Sequence, residues 1–168
     1  MQKYIMGSIC EIISGGTPST TEPSFWGGDI NWISIADFIN ANRYVTTTEK
    51  TITQDGLNHS ATTLLQREDL IVSARGTVGK VALIPHSMAF NQSCYGFRSK
   101  NPNILLNEYL FYWFKSNSQQ LTNSSNGSVF DTITKNTFDN ITINLPNTPT
   151  QRHIVNPMPK LSFSSPRC

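Results

Sequence analysis

The chain is poor in charge. Only 14% of its 168 residues are Asp, Glu, Lys or Arg, well under the roughly one quarter usual in soluble domains. The net charge of +2, with an isoelectric point near 8.5, excludes a protein that holds a polyanion by bulk charge, unless its cations gather on one face. Cysteine is scarce too. Cys10, Cys94 and Cys168 are odd in number, far apart and without metal-ligand spacing, which excludes a disulfide framework and a cysteine-based zinc site. No apolar run approaches the length of a membrane span, and Met1 to Ser8 lacks the basic-then-apolar order of a signal peptide, so a cytoplasmic setting without membrane contact is expected.

Catalytic constellations are missing as well. His59, His86 and His153 stand singly, and there is no Gly-x-Ser-x-Gly elbow. The segment Gly76-Thr77-Val78-Gly79-Lys80 has two residues between its glycines where a phosphate loop needs four, and neither Ser nor Thr follows Lys80. Glu68-Asp69 imitates a nuclease acidic pair but reads as a solvated pair at a turn. The expectation is a binding module without catalysis, metal or cofactor.

Neutral hydrogen-bonding groups fill the space that charge leaves: Asn, Ser and Thr occupy 52 positions. Such a surface suits a reader of bases or sugars, and equally a β-rich domain with many turns. With 38% hydrophobic residues, the chain has enough apolar material for one domain with a core of its own.

Strand patterns dominate the first hundred residues. Ile9, Cys10, Ile12 and Ile13 predict a strand ending at Ser14, where Gly15-Gly16-Thr17-Pro18-Ser19-Thr20 breaks it; the two glycines are read as admitting positive φ. Trp26-Gly27-Gly28-Asp29 reads as the turn into a second strand, with Ile30 and Trp32 on one face. Both tryptophans fit core packing or a stacking surface. Thr53 caps a short helix near 54–60. Leu70–Arg75 and Val81–Ile84 form a buried pair around a Gly-rich turn, and Phe90–Phe97 gives a further strand.

The clearest helix is expected over 107–121, capped by Asn107, with Leu106, Tyr109, Leu110, Trp113 and Phe114 as its buried stripe. Ser116 to Ser128 reads as an exposed loop. Ile141, Ile143 and Leu145 alternate with polar residues in a last strand. Gln151 opens an amphipathic helix that Pro157 and Pro159 stop, leaving a frayed tail. The fold class is therefore α+β: a curved, mainly β-sheet core with a prominent aromatic-striped helix and one or more short helices.

Several separated segments agree on one family. The ordered set Gly7-Ser8-Ile9-Cys10-Glu11-Ile12, Ser14-Gly15-Gly16-Thr17-Pro18-Ser19, Phe25–Trp32, Arg75–Lys80, Asn91-Gln92 and Leu145-Pro146 before Gln151 resembles the target recognition domain of type I restriction-modification specificity (S) subunits, over roughly residues 6–155. The resemblance implies sequence-specific reading of double-stranded DNA, one half of a split target, for partner methyltransferase (M) and restriction (R) subunits, with self-association through a helical spacer. It also implies a division at 150, with 1–150 as the recognition domain and 151–168 as the shortened start of that spacer. The chain lacks the Asn/Asp-Pro-Pro-aromatic motif of an adenine methyltransferase, so methylation would come from the partner.

The residue types that neutralise phosphates or read base edges select Thr17, Ser19 and Thr20 in the Gly-rich loop, Arg43 in the polar stretch, Arg75 and Lys80 at the hairpin turn, and Asn123, Asn126, Ser128 and Lys135 after the aromatic helix. The alternatives at this point are a carbohydrate- or protein-binding module that uses Trp26 and Trp32, or a folded remnant with no activity of its own.

Overall fold

The computed structural model describes residues 1–124 and 133–156. Strand β1 (Gln2–Ile5) pairs antiparallel with β10 (Thr142–Leu145), and a one-turn helix α1 (Met6–Ile9) leads into β2 (Cys10–Ser14). The main sheet has the order β2-β9-β6-β7, with β6 (Leu70–Ser73), β7 (Val81–Leu83) and β9 (Cys94–Ser99), all antiparallel. A second sheet has the order β4-β3-β8-β5, built from β3 (Trp26–Ile33), β4 (Lys50–Ile52), β5 (Leu64–Leu65) and β8 (Met88–Phe90), in which β3 and β8 run parallel. Helices α2 (Gln54–Asn58), α3 (Asn107–Ser124), α4 (Lys135–Asp139) and α5 (Thr148–Val155) complete this mixed α+β architecture.

Why β6 and β7 read as continuous apolar runs follows from burial on both faces. Leu70, Val72, Val81, Leu83 and Phe97 point to α3 and α4, where they meet Leu110, Phe114 and Phe138. Ile71, Ala82 and Cys94 point the other way, onto Ile33, Met88 and Phe90 of the second sheet. Cys10 and Cys94 are thus enclosed, and burial pushes both thiols up to about 12.

Several expectations hold in detail. β2 ends at Ser14. The Thr53 hydroxyl caps α2 by accepting from the Gly56 N–H at 3.1 Å, and β10 alternates buried Ile143 and Leu145 with exposed Thr142 and Asn144. Others need correction. Trp26-Gly27-Gly28-Asp29 is not a turn: it lies within β3 as a bulge, since Trp26 and Ile30 both pair with Ile52 and Gly27 takes φ +81°. The run Phe90–Phe97 is two strands, because Asn91-Gln92-Ser93 turns between β8 and β9.

Helix α3 runs on to Ser124, so residues 116–124 are helical rather than loop. Its fully buried face is Leu110, Phe111, Phe114 and Leu121, while Tyr109 and Trp113 are half-buried against the same core. The Asn107 side chain turns to the strands instead of capping its own helix: it accepts from the Ser99 N–H at 2.8 Å and donates to the Glu68 carbonyl at 2.9 Å. The expected tail, with Pro157 and Pro159, lies outside the described residues.

Gln151 is fully buried and joins α5 to the domain. Its Oε1 accepts from the Leu106 N–H at 2.9 Å, and its Nε2 donates to the carbonyls of Ile104 and Pro146 at 2.8 and 2.9 Å. Gln151→Leu would strand three backbone groups away from water, each worth about 1–3 kcal/mol when left unpaired. A loss of at least about 2 kcal/mol in chemical denaturation is expected, and an unchanged midpoint would contradict this role.

The raised thiols give a second expectation. Unfolded thiols ionise above their ordinary value of about 9, whereas the folded ones hold their protons to about 12. The stabilisation is therefore complete below pH 9 and is lost as pH rises from there toward 12. At pH 8 neither Cys10 nor Cys94 should react with iodoacetamide until denaturant is added, which mass spectrometry of the two peptides checks.

Candidate nucleic-acid interface

The strand register gathers four strand ends at one edge of the main sheet. Ser14 pairs with Tyr95, Ser73 with Cys94, and Val72 with Val81. The exits of β2 and β6 and the entries of β9 and β7 thus lie together, which brings the Gly-rich loop, the Asn91–Ser93 turn and the Arg75–Lys80 turn to one place. Cross-links tie them. The Thr17 hydroxyl donates to Gln92 Oε1, the Gly16 N–H to the Phe90 carbonyl at 3.0 Å, and the Ala74 N–H to the Ser93 carbonyl at 2.9 Å.

Two tryptophans hold the Gly-rich loop from beneath. Trp32 Nε1 donates to the Gly16 carbonyl and Trp26 Nε1 to the Ser19 carbonyl, each at 3.0 Å, and the two indoles meet edge to face with centroids 5.3 Å apart. Trp32 is only 6% exposed, which removes it as a stacking surface for a sugar. The glycines serve proximity rather than positive φ: a Cβ on Gly15 would come within 2.3 Å of the Asn91 carbonyl oxygen, and one on Gly16 within 2.7 Å of the Ala61 carbonyl carbon. Thr17 is half-buried in its bond to Gln92, while Ser19 and Thr20 are exposed.

Cations stand at both ends of the sheet, with different partners. At the gathered end Arg75 and Lys80 are exposed and make no ion pair or side-chain hydrogen bond among the described residues. At the far end Arg98 is spent on carboxylates, while the Lys100 ammonium donates to the Gly7 carbonyl at 2.8 Å. Asp69, 2% exposed, receives Arg98 through Nε at 2.9 Å and Nη2 at 2.6 Å, and also the Gln66 N–H at 2.7 Å. The hydrogen bond to Asp69 raises the Arg98 guanidinium above its ordinary value. Burial, then the bond to Glu68, raises the Tyr44 hydroxyl. Glu68-Asp69 is therefore no solvated pair, as the turn position had implied, but half of a structural network.

Other sequence-selected residues fall elsewhere. Arg43 pairs with Glu108 at 2.8 Å, and its backbone carbonyl accepts from the Leu83 N–H at the far end of β7. Lys135 pairs with Asp139 at 3.1 Å, one turn along α4. Asn123 lies in the last turn of α3; Asn126 and Ser128 are outside the described residues. Two residues at the gathered end were not selected: Gln92, whose pairing with Thr17 across 75 positions leaves no local signal, and Lys115. The latter is the sole cation of α3, one turn after Phe111 and beside its ring, and that isolation was a readable cue.

The model of the type I restriction modification DNA specificity domain matches residues 1–162. The chain belongs to this family. Among curated relatives, the specificity domain is 31% identical over 150 residues to the type I restriction enzyme MjaIX specificity subunit of Methanocaldococcus jannaschii, covering 87% of the chain and 34% of that protein. It is 30% identical over 158 residues to the EcoR124I/EcoR124II specificity subunit of Escherichia coli, covering 89% and 38%. The chain thus spans little more than a third of either relative. A structure of the HsdS subunit from Thermoanaerobacter tengcongensis shares the fold with a TM-score of 0.70 at 22% identity, over 92% of the chain and 35% of the other. A structure described under complex assembly and conformational transition of the type I R-M system gives 0.74, also at 22% identity, over 92% and 36%.

The indole hydrogen bonds are open to test. Trp32→Phe keeps the ring but leaves the Gly16 carbonyl unpaired, a loss of about 1–3 kcal/mol. Thermal denaturation should show it, accompanied by faster proteolysis between Gly15 and Thr20. A variant as stable and as resistant as the parent would show that the bond does not hold the loop.

Proposed function

We propose that this specificity domain binds double-stranded DNA through the gathered end of its main sheet and reads one half of a bipartite target for partner methyltransferase and restriction subunits, which supply the catalysis. The observation that carries the reading is the grouping at this end: Arg75 and Lys80, which make no ion pair among the described residues, stand with polar Thr17, Ser19, Thr20 and Gln92, while the other selected cations, Arg43 and Lys135, are neutralised by carboxylates. A net charge of +2 suffices for a half-site when cations without a carboxylate partner stand at the contact face. Side-chain hydroxyls and amides there supply the paired donors and acceptors that base edges require. Residues 1–150 form the reading unit, and 151–168 begin the spacer that leads toward the partners.

Fluorescence anisotropy on random duplexes between about 50 and 200 mM salt tests the charge component, with log affinity falling linearly against log salt by roughly 0.9 per phosphate contacted. Affinity that ignores salt would refute it. Selection from random DNA should return a motif of a few base pairs. Arg75→Ala should weaken binding clearly more than Lys135→Ala, because Asp139 already takes up the Lys135 charge; equal losses would contradict the assignment of the face.

A further inference from the structure

A cleft of about 460 Å³ opens beside the hairpin turn, between that turn, the C-terminal half of α3 and the segment 38–41. Thr77, Gly79 and Lys80 line it from the turn, Asn40 from the segment, and Lys115 and Gln119 from the helix. No carboxylate does. Both lysines therefore face one space, and its other polar groups are neutral donors.

The cleft is held in shape from inside. The fully buried Ser73 hydroxyl donates to the Thr77 carbonyl and accepts from the Lys80 N–H at 2.9 Å, clamping the turn at both sides. Gly79 takes φ +87° and sits so close to α3 that a Cβ would lie 3.3 Å from the Ser118 carbonyl oxygen. On the helix side the Lys115 ammonium donates to the Asn42 carbonyl at 3.1 Å and stands 5.2 Å from the Phe111 ring centroid. One of its three donors is used and its stem is fixed, so charge and donors remain for a ligand. Lys80 has no side-chain partner among the described residues. Phe38, 1% exposed, offers no ring face on which a base could stack.

We propose that this cleft seats a phosphodiester of the DNA backbone, with Lys80 and Lys115 as its charge partners, and so sets the register of the domain on the duplex without reading sequence. Two point charges with neutral donors and no stacking surface fit a phosphate better than a base edge. The proposal rests on the DNA-binding reading above and adds Lys115, Gln119 and the cleft to it.

The test compares the full chain with its K80Q, K115Q, K115R and Q119E variants on several unrelated duplexes across a salt series, with melting curves as a fold control. K80Q and K115Q should each weaken every duplex by the same factor and lower the salt slope by about 0.9. K115R should retain both. Q119E, an exposed position whose change places a carboxylate in the cleft, should weaken all duplexes alike, and it keeps the test decisive if K115Q melts early. Parent binding with slopes unchanged in K80Q, K115Q and Q119E would overturn the cleft alone, as would losses that differ between sequences. A parent chain that binds no duplex would overturn the DNA-binding reading and the cleft with it.

Discussion

Phe97 of β9 packs under Phe114 of α3 and Phe138 of α4, with ring centroids 4.9 and 5.2 Å away, and this contact fixes how β9 lies between β2 and β6. Because side chains alternate along a strand, a slip of one residue would turn Phe97 onto the opposite face and bury a polar neighbour in its place. The register that results sets Ser14 opposite Tyr95 and Ser73 opposite Cys94. From that pairing alone three loops distant in sequence come to one edge. The core thus decides where the polar groups stand.

What separates Arg98 from Arg75 and Lys80 is the company each cation keeps. At the far end Asp69 is buried and its partner Arg98 is about a quarter exposed; removing either would leave a charge without its counterpart in a poorly solvated place, and such losses run to about 3–5 kcal/mol. Those arginines are committed to stability. Arg75 and Lys80 have no such commitment, and exposed cations with free donors are what a phosphate backbone recruits. The mild net charge of the chain conceals this division, since paired and unpaired cations count alike in a sum.

Much of the scaffold was legible in the sequence because its signals are local. The apolar runs of β6 and β7 with glycines between them, the Thr53 cap and the alternation in β10 each reside within a few residues; the Lys135–Asp139 pair is as local, one helical turn apart, yet residue type alone selects Lys135 as a DNA contact. The bulge in β3 was not legible, because Trp-Gly-Gly-Asp describes a turn and a bulge equally well until the pairing of Trp26 and Ile30 with the same Ile52 is known. Arg43 could not be told from a free cation, since Glu108 lies 65 positions away. The tryptophans were ambiguous for the same reason: only the placement of the Gly16 and Ser19 carbonyls shows that the indole N–H groups face inward.

The central claim is that DNA lies against the gathered end of the main sheet. Amide hydrogen exchange of the full chain, with and without a saturating duplex, tests it most directly by position. Protection is expected over residues 15–20, 75–80 and 91–93, with residues 66–69 and 98–99 at the far end unchanged. Protection at the far end with none at the three loops would contradict the account.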